Sequence, residues 1–215
     1  MNEQAGRVVL ITGASSGIGR ACAQHLQARG YRVYGTSRRV SAPDGVARDG
    51  DVRMIAMDVT CEDSVAAAVA LVMAREGRID VVVNNAGYGI AGAVEDTSLA
   101  EARAQLDTNF FGVLRVCRAV LPILRGQGGG YLVNISSIGG LIAIPFQGLY
   151  SASKFAVEGM TESLRAELRP YGVKVVMIEP GDFHTGFTGQ RQRVAAAAAS
   201  VHDARYRAAL GVMEA

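Results

Sequence analysis

Hydrophobic residues along this chain fall into two alternating rhythms. Short, nearly continuous apolar runs occur at 7–12 (RVVLIT), 31–36 (YRVYGT), 52–57, 79–84 (IDVVVN), 131–136 and 173–179 (VKVVMIE). Runs of this kind mark strands covered on both faces. Between them lie longer stretches of helical period: 18–29, closed by Gly30; 62–76, with Glu62 and Asp63 in its first turn; 98–124, ending near Pro122; and 150–171. Segment 41–51 carries Pro43, two Gly and three Asp and reads as a loop, as does 126–130. Six strands alternating with helices predict an α/β chain folded as one doubly wound parallel sheet. The end of the chain differs. Residues 188–200 are polar and then alanine-rich, and 202–213 suit a short helix. The expected organisation is a single domain over 1–187, with 188–215 as a mobile flap and short helical tail of that domain.

Composition narrows the classes of function. The 215 residues are 49% hydrophobic and 20% charged, enough for a sizeable core, and a net charge of +2 gives no reason to expect nucleic acid or a membrane surface as a partner. Cys22, Cys61 and Cys117 are far apart and in no metal-ligand spacing, so they are expected to be reduced thiols, and no metal is expected. The N-terminus runs straight into a strand without a signal-peptide pattern, and no apolar run approaches the ~20 residues of a membrane span. A cytoplasmic protein is the expectation.

Two stretches carry chemistry. The first strand runs into Thr12-Gly13-Ala14-Ser15-Ser16-Gly17-Ile18-Gly19. Glycines after a buried strand and at the opening of a helix let backbone N–H groups approach a pyrophosphate; they also serve tight strand–helix packing. At the end of strand two, Thr36-Ser37-Arg38-Arg39 offers a hydroxyl and guanidinium groups where an acidic residue would hold the ribose of NAD(H). That favours the 2′-phosphate of NADP(H). Asp58 and Val59, after strand three, are placed to contact adenine, although Asp58 or Thr60 suits a helix N-cap equally. Asn84-Asn85-Ala86-Gly87 would floor the same cleft. The second stretch is 135–154, ISSIGGLIAIPFQGLYSASK. Tyr150 and Lys154, four apart on a helix, share one face, and a neighbouring ammonium favours the phenolate. Of the 22 Lys and Arg residues only Lys154 and Lys174 are lysines, so the choice of a compact charge at 154 stands out. A serine at 136 or 137, where a strand ends, would lie beside the phenol.

TGASSGIG at 12–19, NNAG at 84–87, Asn109, Ser137, YSASK at 150–154 and PGDFHT at 180–185 together resemble the short-chain dehydrogenase/reductases, in particular the branch acting on steroid, retinol and other ketone or alcohol substrates. The resemblance covers about 6–190. It implies a Rossmann fold and hydride exchange between a nicotinamide cofactor and a ketone or secondary alcohol. In it Tyr150 is the acid/base, and Ser137, by the family's spacing, steadies the substrate oxygen. Lys154 lowers the tyrosine pKa and binds the nicotinamide ribose, and Asn109 anchors a relay water. Pro180, Gly181 and Thr185 match the family's nicotinamide contacts, with Phe183 as apolar support. The apolar stretch 141–146, with Phe183 and Phe187, suits a hydrophobic substrate pocket or, in part, core packing. Long helices at 98–124 and 150–171 pair subunits in this family, so a homodimer or homotetramer is implied.

The resemblance is incomplete at one end. Family members return with a seventh strand beyond strand six, and none is readable here, so strand six is expected to be an unpaired edge. The competing expectation is a truncated NADP(H)-binding module with little or no turnover. A sugar-nucleotide epimerase or dehydratase fits less well, because the chain lacks that family's TGxxGxxG turn.

Overall fold

A computed structural model of the chain describes residues 6–42, 44–181 and 191–213. In chain order the elements are β1 (Val8–Ile11), α1 (Gly17–Ala28), β2 (Arg32–Ser37), β3 (Val46–Asp49), β4 (Val52–Ala56), α2 (Glu62–Glu76), β5 (Val81–Asn84), β6 (Ile90–Ala91), α3 (Leu99–Leu106), α4 (Gly112–Gly126), β7 (Gly130–Ile135), α5 (Gly148–Leu168), β8 (Val173–Ile178), β9 (Gln192–Arg193) and α6 (Asp203–Met213). The main sheet runs β3-β4-β2-β1-β5-β7-β8. All its pairings are parallel except β3 with β4.

The unbroken apolar run of β1 has its explanation in this arrangement. Val8 and Leu10 face one helical layer, packing with Val65 and Val72 of α2, Val116 and Val120 of α4 and Val157 of α5. Val9 and Ile11 face the other, with Ala23 of α1. Successive strand residues alternate faces, so a strand clothed on both sides needs apolar residues throughout. From β1 the chain winds outward through β2 and β4 on one side and β5, β7 and β8 on the other. This reversal opens a crevice at the strand C-termini, where such sheets bind ligands.

Two expectations about the sheet need correction. The main sheet has seven strands, not six with one missing. The additional strand is β3, at the opposite edge from the one where a seventh was sought. Segment 41–51 reads as a loop because Val46-Ala47-Arg48-Asp49 has no apolar run, yet it forms an antiparallel hairpin with β4, pairing Asp49 with Val52 across Gly50 and Asp51. Gly50 supplies the positive φ of +60° that a two-residue connection requires. The second correction concerns 98–124, which is not one helix. A π-turn at Asp107–Phe111 separates α3 from α4, and α4 runs on past Pro122 to Gly126. The carbonyl four residues before Pro122 belongs to exposed Arg118, where water can satisfy it. β8 does form an edge: among the described residues no strand pairs with its outer side, and Val176 and Ile178 are exposed there.

The described part of the tail is docked rather than loose. β9 adds to β6 as a separate parallel pair, and Val194 N donates to Ala91 O at 2.9 Å. Val194, Ala197 and Tyr206 are 3%, 2% and 5% exposed, and Tyr206 packs edge-to-face on Phe146 at 5.8 Å. Ala195 N donates to Glu101 Oε1 at 2.8 Å, and His202 Nε2 is hydrogen-bonded to Glu95 Oε1. Burial of Val194 alone contributes about 2 kcal/mol to holding this segment. Gly92 is bare because a Cβ there would run into Val194 Cγ2. Gly92→Val is therefore expected to release 191–213 with little change in the main sheet. Hydrogen exchange should show faster exchange confined to β9 and the residues after it; unchanged protection of the tail would contradict this.

Candidate active site

The glycine-rich turn is stitched to the end of β5 by one hydroxyl. Thr12 Oγ1 accepts from the backbone N–H groups of Asn85 and Ala86, each at 2.9 Å. Asn85 Nδ2 returns bonds to Thr12 O at 2.9 Å and Gly13 O at 3.1 Å. The contact leaves no room for side chains. A Cβ on Gly13, which has φ +66°, would lie 2.9 Å from Ala86 Cα, and one on Gly19 would collide with the Asn85 amide. Ser15, Ser16 and Gly17 are consequently held on the surface at the start of α1, with Ile18 half-buried behind them. Ser16 occupies the N-cap without capping through its side chain, and the first turn of α1 has no acidic residue. Its backbone donors face the crevice, where the helix dipole favours an anion. These features fit a dinucleotide pyrophosphate.

Around this turn the expected contact residues divide. Arg38 is exposed at the end of β2, and Ser37 Oγ accepts from Arg39 N at 3.3 Å, shaping the turn. The side chains of Asp58 and Val59 also have structural work. Asp58 Oδ1 accepts from both Thr60 N and Thr60 Oγ1, at 2.9 and 2.8 Å, making a local turn rather than a helix cap; Cys61 is the N-cap of α2. Burial pushes the Asp58 carboxyl up, but these bonds and the Arg38 and Arg115 charges outweigh it and leave its pKa lowered. The Val59 side chain lies against Gly112 of α4 and belongs to the core, leaving its backbone at the strand end. Gly87 is exposed, close to the Asn109 amide. Pro180 O accepts from Ile138 N at 3.0 Å, which places Pro180 and Gly181 at the rim beside the serine loop. Phe183, Thr185, His184 and Phe187 lie outside the described residues.

Ser137, Tyr150 and Lys154 come together at the C-terminal end of β7. Tyr150 and Lys154 are each 6% exposed and Ser137 is 8% exposed. Ser137 Oγ accepts from Gly139 N at 3.1 Å and is hydrogen-bonded to the Tyr150 hydroxyl. Gly139 leaves room here, since a Cβ would crowd the tyrosine ring at 3.2 Å. Lys154 Nζ donates to Ile135 O at 2.8 Å and stands 5.8 Å from the centre of the Tyr150 ring. Burial pushes the phenol up from its ordinary value, opposed by the Ser137 hydrogen bond and the Arg191 charge. This is the reverse of the lowering expected from the Tyr–Lys spacing. Desolvation dominates at both groups, and the lysine is pushed down to about 8, with Glu158 acting against the shift.

Asn109 sits in the π-turn, 1% exposed, and its side chain is fully engaged. Its Oδ1 accepts from Tyr88 N at 3.1 Å, while Nδ2 donates to Tyr88 O at 2.9 Å and Ser153 Oγ at 3.1 Å. It thereby ties the loop after β5 to α5, one residue before Lys154. A π-turn at such a place is a common accompaniment of functional sites. The site also depends on residues that the sequence did not single out. Gln105 donates to Tyr88 O and accepts from Ile90 N. Asn134 accepts from Asn84, already placed at the cleft floor by its motif, and in turn donates to Thr161 Oγ1, each at 2.9 Å, beneath the sheet end. Nothing local in the sequence marks these contacts. Of the apolar stretch 141–146, Leu141 and Ile142 are exposed beside Ser137, whereas Phe146 supports the tail through Tyr206.

A family model described as short chain dehydrogenase matches residues 7–195. The chain belongs to the short-chain dehydrogenase/reductase family. It is 51% identical over 185 residues, 86% of this chain, to a 3-ketodihydrosphingosine reductase of Bacteroides thetaiotaomicron. It is 41% identical over 84% of its length to mouse 17-beta-hydroxysteroid dehydrogenase type 1. These alignments span 67% and 55% of the two relatives, so the chain covers only part of their length. A short-chain dehydrogenase/reductase from Burkholderia phymatum, solved in complex with NAD, superposes with a TM-score of 0.83 at 28% identity, covering 98% of this chain and 81% of that one. The steroid-type relatives accord with the branch that the sequence resembles.

The electrostatics of the short-chain dehydrogenase/reductase site predict a pH dependence of stability. A lysine with an ordinary pKa of 10.5 that falls to about 8 when folded binds fewer protons folded than unfolded across that window. Stability then rises with pH from about 8 until, near 10, the unfolded tyrosine begins to ionise ahead of the raised Tyr150. Lys154→Met should remove the rise and stabilise the protein at pH 7 by up to about 3 kcal/mol. Urea unfolding between pH 7 and 10 checks both; a flat wild-type profile would refute the assignment.

Proposed function

We propose that the chain is an NADP(H)-dependent oxidoreductase that interconverts an apolar ketone and its secondary alcohol. The observation that carries this reading is the convergence of Ser137, Tyr150 and Lys154 beside a glycine-rich turn whose open donors face the same crevice. Such a turn alone, or such a pair alone, would be ambiguous. When bound, the nicotinamide supplies or accepts the hydride.

The chain's own residues do the remainder. Donors at Ser15, Ser16, Gly17, Ile18 and Gly19 hold the pyrophosphate, while Arg38 and Ser37 hold the 2′-phosphate, no carboxylate at that strand end being available for a bare ribose. The Asn85–Gly87 segment backs the cleft, and Asp58 holds the turn beside the adenine end. Pro180 and Gly181, with Phe183 and Thr185, border the nicotinamide. In reduction, Tyr150 donates its phenolic proton to the substrate oxygen and Ser137 donates a hydrogen bond to the same atom. A phenol with a raised pKa is well suited to keeping its proton until charge develops on that oxygen. Lys154 binds the ribose hydroxyls and steadies the phenolate left behind. The side chain of Asn109 is committed to Tyr88 and Ser153, so its part is to hold the cleft wall, with a relay water served by the backbone of the π-turn. Exposed Ile138, Leu141 and Ile142 beside Ser137 favour a hydrophobic substrate, as do relatives named for sphingoid and steroid substrates.

The bare nucleotide-binding module is the weaker alternative, because Ser137, Tyr150 and Lys154 are assembled together with Asn109. Exposed Phe111 and Phe155, on the helical layer beside the site, favour a homodimer or homotetramer. Among the described residues no helix is long and apolar enough to cross a membrane, and we infer a cytoplasmic enzyme.

Tyr150→Phe is expected to lower kcat for ketone reduction by at least about 100-fold, with the NADPH Kd, read by fluorescence titration, changed little. A Phe variant that still turns over normally would remove Tyr150 from the mechanism. Arg38→Ala should weaken NADPH by about 10-fold or more and leave NADH nearly unaffected. Equal losses for the two dinucleotides would show that Arg38 does not read the 2′-phosphate.

A further inference from the structure

The polar atoms hardest to account for lie behind the serine, tyrosine and lysine. Glu158 comes one turn of α5 after Lys154, and its Oε1 is shut off from solvent with no hydrogen-bond partner among the described residues. Ser136 Oγ, on a residue 3% exposed, is equally enclosed and unpartnered. The two meet over Gly140: a Cβ there would lie 2.7 Å from Ser136 Oγ and 3.0 Å from Glu158 Oε1. Position 140 therefore stays bare so that a hydroxyl and a carboxylate can share one small space. Sheltering a carboxylate oxygen is costly unless an opposite charge or a donor answers it. It also keeps the field of that charge from being screened by water.

One turn earlier on the same helix stands Lys154, whose ammonium is held on the carbonyl of Ile135, the residue before Ser136. The charged and titratable groups around it are few. From its own helix it faces Tyr150 and Glu158; from the end of β7 it meets Ile135 O, and Arg191 of the tail acts on Tyr150. Glu158 is the carboxylate whose charge Lys154 feels.

We propose that Glu158 is a positioning residue for the reaction: from the pocket shared with Ser136 and Gly140, its carboxylate holds Lys154 in the ammonium form that Tyr150 requires. The proposal rests on the reading of Lys154 as the cation of the site and adds a third charged member behind it. Glu158 touches no reacting atom and acts through Lys154. Burial works to discharge that lysine, and a neutral amine neither steadies a phenolate nor repels protons from it. A carboxylate one turn away restores the balance without approaching the substrate.

The composition of the chain makes the test direct. Lys154 and Lys174 are the only lysines, so protein labelled with 13Cε-lysine has two lysine resonances to follow by NMR against pH. Lys154 should titrate below the ordinary lysine value. Glu158→Gln should lower the Lys154 midpoint by about half a pH unit or more, leaving Lys174 in place. Glu158→Asp, which keeps the charge, should fall between the Gln variant and wild type. The alkaline limb of kcat/KM for ketone reduction should move with the Lys154 midpoint, with NADPH binding at pH 6 unchanged. If Glu158→Gln does not fold, the Asp variant carries the test by its smaller shift. Lys154 midpoints equal to wild type in the folded variants would overturn the proposal, as would equal displacement in the Asp and Gln variants, which indicates packing alone. Because the titration needs neither cofactor nor turnover, it decides the role of Glu158 even if the proposed reduction is not observed.

Discussion

Everything at this site depends on how closely two loops approach at the C-terminal ends of β1 and β5. The Thr12 hydroxyl occupies the gap, taking the N–H groups of Asn85 and Ala86, and the absence of side chains at Gly13 and Gly19 lets the backbones meet. A single methyl group at either glycine would force the loops apart. With the loops together, the start of α1 stands open toward the crevice, and the segment after β5 continues to Tyr88, where Asn109 and Gln105 seize its peptide. The anion-facing end and the acid/base end are thereby built on one rigid frame. Binding and catalytic groups must be held to within fractions of an ångström, and backbone contacts of this kind achieve that without long side chains.

The second constraint is desolvation. Tyr150 and Lys154 are both placed where water scarcely reaches, and both neutral forms are favoured as a result. A phenol and an amine that each resist charge are, in isolation, a poor acid/base pair. The surrounding groups offset this: the Ser137 hydrogen bond and the Arg191 charge act on the phenol, and Glu158 acts on the amine. Perturbed groups facing one another across a crevice are the usual mark of a working site. Here the perturbation comes from the depth of the site more than from any one neighbour.

The outer parts of the molecule obey simpler rules. Strand β3 adds an antiparallel edge that a charged four-residue segment forms once β4 offers a template and Gly50 permits the turn. The tail is anchored because Val194, Ala197 and Tyr206 find apolar surface that Ile90, Leu149 and Phe146 would otherwise expose. β8, exposing Val176 and Ile178, remains an edge.

Local pattern was enough for a good deal of this. The six apolar runs each became a strand of the main sheet, because a strand covered on both faces must be apolar at every position. The glycine turn and the Tyr150–Lys154 spacing were legible because their geometry is set within one turn of chain. What local pattern does not encode is contact between distant residues. Residues 46–49 show no period of their own, so only pairing with β4 makes them a strand. The π-turn at Asp107–Phe111 is invisible in a sequence that keeps a helical period through it, and is accompanied in the fold by the clamp of Asn109 on Tyr88 and Ser153. Spacing predicted a lowered tyrosine pKa; depth of burial, which no spacing records, reversed it. The sequence alone determined the architecture and the chemical groups. Tertiary structure decided their electrostatics and supports, because both arise from a residue's surroundings in space rather than from its neighbours along the chain.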